Sequence, residues 1–137
     1  MEGAERLVSV ILEQAEEPLQ VYEIQWELNA RLGGASQTPA ELERRLQQSR
    51  LFARDTRGRY DLVSRLAEQV ADASTLRRAC SELLTARNEV AGCDDMLERL
   101  AERDVDVKQL SVSLLAAILR GDETFEEVGT NRFRVAR

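Results

Sequence analysis

Two stretches of this chain are written on one plan. Residues 51–63 (LFARDTRGRYDLV) and 124–136 (TFEEVGTNRFRVA) each read as an aromatic-bearing strand, a tight polar turn and a second strand. Phe52, Gly58, Tyr60 and Leu62 correspond at one constant offset to Phe125, Asn131, Phe133 and Val135, and helical patterns precede both hairpins. Such a repeat divides the 137 residues into two small units, each of roughly 60 to 65 residues. Cores of that size are thin, so the units are expected to gain stability by packing on each other.

The pattern along the first unit is punctuated clearly. Leu7, Val8, Ile11, Leu12 and Ala15 form an apolar stripe at helical spacing. Pro18 ends it, because proline lacks the amide donor and drives Glu17 into an extended conformation. Val21, Ile24, Leu28 and Leu32 repeat at helical intervals up to Gly33 and Gly34, where a glycine pair suits the end of a helix. Thr38, Pro39 and Glu41 then supply an N-cap, a first-turn proline and the acid of a capping box. The third helix runs to about Arg50, with Leu42 and Leu46 inward, and leads into the hairpin.

The second unit follows at an offset of 72: Ala79, Cys80, Leu83 and Leu84 replace Leu7, Val8, Ile11 and Leu12, and Cys93, Met96 and Leu100 replace Val21, Ile24 and Leu28. Asp106 to Gln109 offers a capping box aligned with Thr38 to Glu41, which predicts a longer third helix reaching Arg120 and Gly121. Between the units, Ser64 to Ser74 carries Leu66 and Val70 at helical spacing without proline or glycine. A helical connector is expected, able to fuse with the next helix unless Asp72 or Ser74 breaks it. The expected fold is therefore mainly α with small β-hairpin wings: unit 1 over residues 1–63, a connector over 64–74 and unit 2 over 75–137.

Catalysis finds little support. The chain has no histidine, which removes the commonest general base and metal ligand. Glu16 with Glu17 and Asp94 with Asp95 lie where acids suit a helix start, and no ligand spacing converges on a metal or cofactor. Cys80 and Cys93 fall at core positions opposite Val8 and Val21 and read as buried thiols. No apolar run is long enough for a membrane span or a signal peptide, so a cytoplasmic protein without cofactor, metal or small-molecule substrate is expected.

Helices closing on one hairpin describe a winged helix. Ile11 and Leu12, Glu17 to Leu19, Val21 to Ile24, Thr38 with Pro39, and Phe52 followed by Gly58 to Leu62 resemble the HARE-HTH family of winged helices over residues 5–63. That family includes the N-terminal domain of the bacterial RNA polymerase delta subunit and modules attached to chromatin and restriction proteins. Residues 75–136 depart from it, with Glu89 and Val90 in place of Glu17 and Pro18 and no Thr-Pro pair, and share only the broader winged-helix plan. The resemblance implies a non-enzymatic tandem module of transcription regulation or DNA transactions.

In winged helices the third helix commonly enters the DNA major groove and the wing touches phosphate or the minor groove. In unit 1 the outer face of that helix presents Arg44, Gln47 and Gln48, side chains able to pair with base edges. Arg50 follows, and the wing adds Arg54, Arg57 and Arg59. Against a duplex reading stands the charge, −6 overall, with eight basic and eleven acidic residues in 1–63 and eleven and fourteen in 64–137. At the aligned positions unit 2 has Val112, Leu115 and Ala116, with Leu119 nearby, an apolar face that cannot read bases and calls for burial. Its cover is the first unit, a second copy of the chain, or a protein partner. Tyr22 and Trp26 point about 120° away from the Val21, Ile24, Leu28 stripe. They are expected to pack under the connector or against unit 2; the sharper reading is an anchor for a partner. Two functions thus stay open: duplex binding through unit 1 with association through unit 2, or an acidic adaptor that docks on RNA polymerase or on a repair or defence complex without touching DNA.

Overall fold

The computed structural model describes residues 2–33, 38–70, 73–87 and 89–136, a mainly helical chain with small antiparallel hairpins. In the first half, α1 (Glu2–Gln14), α2 (Val21–Leu32) and α3 (Pro39–Gln48) precede the hairpin β1 (Phe52–Arg54) and β2 (Tyr60–Leu62). After α4 (Val63–Glu68), the second half runs α5 (Ala73–Arg87), β3 (Ala91–Gly92), α6 (Cys93–Glu102), α7 (Val112–Arg120), β4 (Phe125–Gly129) and β5 (Arg132–Val135).

Both hairpins share a register. Phe52 faces Leu62 across β1 and β2, and Phe125 faces Val135 across β4 and β5. The turns place Gly58 at φ 83° and Asn131 at φ 56°, a left-handed conformation that glycine adopts freely and asparagine tolerates. Tyr60 and Phe133 are both fully buried. The sequence gives no warning of β3, two residues that pair with Phe133 and Arg132 and make the second sheet three-stranded, in the order β3-β5-β4. Its counterpart in the first half is a single bridge between Leu19 and Tyr60, closed by Leu19 N–H to Tyr60 O at 2.9 Å and Tyr60 N–H to Leu19 O at 2.7 Å. The helix stripes aligned at offset 72 are core in both halves: Val8, Ile11, Leu12, Ile24 and Leu28 in one, Cys80, Leu83, Leu84, Met96 and Leu100 in the other.

The start of α7 differs from the sequence expectation. Asp106 accepts the Lys108 N–H at 3.0 Å in a local turn and caps no helix; Ser111 is the N-cap, its Oγ accepting the Leu114 N–H at 3.0 Å. Thr38 does the same for α3, with its Oγ1 accepting the Glu41 N–H at 3.2 Å. Aligned by their caps, the two third helices stand 73 residues apart, the hairpin offset. They have nearly equal lengths, ten residues in α3 and nine in α7. The connector is also broken: α4 ends at Glu68 and α5 begins at Ala73. Gly34 and Asp72, named above as helix punctuation, lie outside the described residues.

Two apolar clusters fill the interior. The first gathers Val8, Ile11, Leu12, Ile24, Leu28, Leu42, Leu46, Phe52 and Tyr60. The second takes the core of the second half and adds Ala53, Leu66 and Val70 from β1, α4 and its end. Helix α7 is the shared element, packing on β1, α3 and α4 as well as on α6 and β4. Two arginines secure helix ends whose last carbonyls lack intrahelical partners. Arg65 donates to Leu12 O, Glu13 O and Ala15 O at 2.7 to 3.1 Å, closing α1, and Arg120 donates to Gln47 O at 3.0 Å and Ser49 O at 2.9 Å, closing α3.

Candidate nucleic-acid and protein interfaces

The third helix of the first half is less open than its sequence implies. Arg44 and Gln48 are exposed, and Arg50 beyond the helix end is exposed as well. Gln47 turns inward instead: its Nε2 donates to the Tyr60 hydroxyl at 3.1 Å, and that hydroxyl donates to Glu43 Oε1 at 2.9 Å. Burial, opposed by the Gln47 hydrogen bond and reinforced by Glu43, pushes the Tyr60 phenol up to about 12. Glu43 also faces Arg54 at 3.9 Å. Within the first hairpin, Asp55 organises the turn by accepting the Arg57 and Arg59 amides, each at 2.9 Å, and its other oxygen sits 3.6 Å from Arg59 Nε. Of the seven candidate DNA contacts, Gln47, Arg54 and Arg59 thus have partners inside the fold. Arg44, Arg50 and Arg57 carry no ion pair among the described residues.

The hairpin of the second half stands beside this helix. Arg44, Gln47 and Gln48 form one wall of an open cleft of about 600 Å³ whose other wall is Glu127, Gly129, Thr130 and Asn131. Arg120 lies between them, only 15% exposed at its side chain, with Nε and Nη2 on the two oxygens of Glu127, both at 2.9 Å, and Nη2 also 3.3 Å from Asn131 Oδ1. The Arg120 hydrogen bonds hold the Glu127 carboxyl below the usual carboxylate range, against the opposing effect of its partial burial. On the far side, Arg54 of β1 donates its N–H to Ser113 Oγ at 2.8 Å and accepts from Ser111 Oγ, so the outer edge of the first hairpin is closed by the start of α7.

The apolar face expected on the second third helix is covered within the chain. Leu115, Ala116 and Leu119 are buried, and Val112 is partly buried against the same core. Leu115, Ala116 and Leu119 thus present no surface to a second copy or to another protein, whereas Val112 keeps an edge at two open clefts. The cap-to-cap alignment explains this: Leu115 and Leu119 are the counterparts of the inward Leu42 and Leu46, whereas Arg44 corresponds to Ala117 and Gln47 to Arg120. Exchange of polar for apolar residues on the outer face is what lets α7 lie between the halves.

Tyr22 and Trp26 go the other way. They do not pack under α4 or against the second half; Tyr22 is 64% and Trp26 69% exposed. Both line an open cleft of about 650 Å³ on α2, together with Leu19, Glu23 and Glu27. A further cleft, about 450 Å³, opens between the first hairpin and the start of α7 and is lined by polar residues of both together with Val112.

Sequence reasoning missed the groups that join the halves. Arg120, Glu127, Ser111 and Ser113 were visible only as ordinary polar residues, because their roles depend on which strand folding brings beside α7. Cys80 and Cys93 are free and buried, and burial pushes both thiols up to about 12. Among the described residues no group of histidine, cysteine and carboxylate side chains is placed to hold a metal ion, and no helix is long and apolar enough to cross a membrane. Comparison of the chain with protein-family models, with curated proteins and with solved structures gives no match.

Proposed function

We propose that this chain is a tandem winged-helix module that acts in the cytoplasm by binding and not by catalysis, and that its principal partner is a protein of a transcription, repair or defence machine. The order helix, short pairing segment, helix, helix and hairpin, met twice, supports the winged-helix reading. One observation carries the choice of partner class. The outer face of α3, through which a winged helix would read bases, forms a wall against the second hairpin and Glu127, with Gln47 hydrogen-bonded inward. A major groove about 12 Å wide must receive a helix clear of flanking protein. The net charge of −6 adds to the obstacle, since phosphate contacts supply most non-specific affinity.

A second reading keeps duplex DNA as the partner. Arg44, Arg50 and Arg57 favour it, being exposed and without carboxylate partners among the described residues. Polarisation of a labelled mixed-sequence duplex, titrated across a salt series, separates the two. The adaptor reading expects binding no tighter than the non-specific range, roughly 10⁻⁴ to 10⁻⁶ M at physiological salt. Binding tighter than about 10⁻⁸ M, abolished by Arg44→Glu with Arg57→Glu, would return the function to DNA recognition.

A further inference from the structure

We propose that the open aromatic face of α2 receives a basic segment of a partner protein, one that sets arginine or lysine beside apolar side chains. This deepens the adaptor reading and rests on it. Tyr22 and Trp26 lie one helical turn apart, and each keeps about two thirds of its surface in water, 64% and 69%, although both are large enough to be costly there. They share their cleft with Leu19, which adds an apolar wall. Tryptophan and tyrosine are among the side chains enriched at the energetic centres of protein interfaces.

Charge selects the occupant. Between Arg6 and Arg31 the chain carries no basic residue and five glutamates, Glu13, Glu16, Glu17, Glu23 and Glu27. Glu23 and Glu27 line the cleft itself, and Glu16 and Glu17 are exposed on the loop that leads into α2. Glu27 meets Arg31 only at 3.8 Å with both side chains a third or more exposed, which leaves most of its field in solution. A tryptophan face attracts a guanidinium or ammonium, and neighbouring carboxylates strengthen that attraction. Phosphate groups and acidic peptides are repelled by the same field.

Trp26 is the only tryptophan in the chain, so its emission reports on this surface alone. The test titrates the full chain with three synthetic amphipathic peptides of one apolar pattern, whose polar positions are arginine and lysine, glutamine, or glutamate. Only the basic peptide is expected to shift Trp26 emission, and its affinity should fall with added salt as the field is screened. Tyr22→Ala should weaken it at least about fivefold, as should Glu16→Gln, Glu17→Gln and Glu27→Gln combined, with thermal unfolding unchanged because these side chains are exposed. An equal response to the glutamine or glutamate peptide overturns the basic class while leaving the adaptor reading intact. Emission that shifts with protein concentration alone assigns the surface to a second copy and overturns the proposal. No shift with any peptide up to about 1 mM also overturns it, and the adaptor reading is then judged by the duplex titration.

Discussion

Replacing Arg120 by alanine should loosen the joint between the halves. Its guanidinium donates to two carbonyls at the end of α3, grips both oxygens of Glu127 and reaches Asn131, at distances from 2.9 to 3.3 Å. Breaking a fully buried pair costs about 3 to 5 kcal/mol, and an exposed one about 0 to 1. With side-chain exposures of 15% for Arg120 and 29% for Glu127, the site lies between these limits. A loss of about 2 to 3 kcal/mol follows, which for a chain of this size lowers Tm by about 6 to 15 °C. Arg120→Lys should recover less than half, since an ammonium cannot fork between a carboxylate and two carbonyls. The pH profile gives a second readout. Glu127 has a folded pKa below its unfolded value, so its stabilisation is present above the unfolded value of about 4.3 and is lost as pH falls through the folded one. Arg120→Ala should flatten that acid limb, and the two stability curves should draw closer at low pH, leaving the share due to the Gln47 and Ser49 carbonyls. Calorimetry and denaturant titration from neutral pH to pH 3 check both. A cost under about 0.5 kcal/mol, or an acid limb unchanged in the variant, would refute the role assigned to Arg120.

Leu115 is fully buried in α7, so Leu115→Ala should cost about 2 to 5 kcal/mol in urea titrations and should leave sedimentation unchanged, because its contacts lie within one chain. Ser111→Ala removes both the α7 cap and the bond to the Arg54 carbonyl and should cost about 1 to 2 kcal/mol by the same assay. Cys80 and Cys93 should resist a thiol reagent at pH 8 in native protein and react once unfolded. Their folded pKa values, raised to about 12, make stability full below the unfolded thiol value and progressively lost as pH rises above it, a limb that Cys80→Ala with Cys93→Ala should flatten.

Much of this fold is legible in the sequence where local chemistry decides it. The hairpins follow from turn residues that accept a left-handed backbone and from aromatic residues in matching register; the helix starts at Val21 and Pro39 follow from proline and capping signals. The start of α7 is misread because Asp106 and Gln109 imitate a capping box, while the aspartate spends its carboxylate on a turn and Ser111 caps the helix. Once the third helices are aligned from that wrong cap, Leu115 and Leu119 look like an outer face instead of the counterparts of Leu42 and Leu46. Strand β3 is too short to leave a periodic signal, although its symmetry with Leu19 marks the place. The candidate site is legible as a set of residues but not in its state. Helical geometry separates Tyr22 and Trp26 from the core stripe, yet whether the second half covers them is decided by how α7 docks. The same docking brings Arg120 and Glu127 beside α3, which no local pattern encodes.

The partner surface proposed for this chain depends on α2 leaving its aromatic face open. The most direct measurement is the emission of the single tryptophan and its quenching by acrylamide, in dilute protein shown by sedimentation to be monomeric. With Trp26 69% exposed, the native emission maximum and quenching constant should lie close to those of the chain unfolded in denaturant. A native emission well to the blue, protected from acrylamide and released only on unfolding, would place Trp26 inside the protein and contradict the exposed anchor, leaving the adaptor reading to the duplex titration.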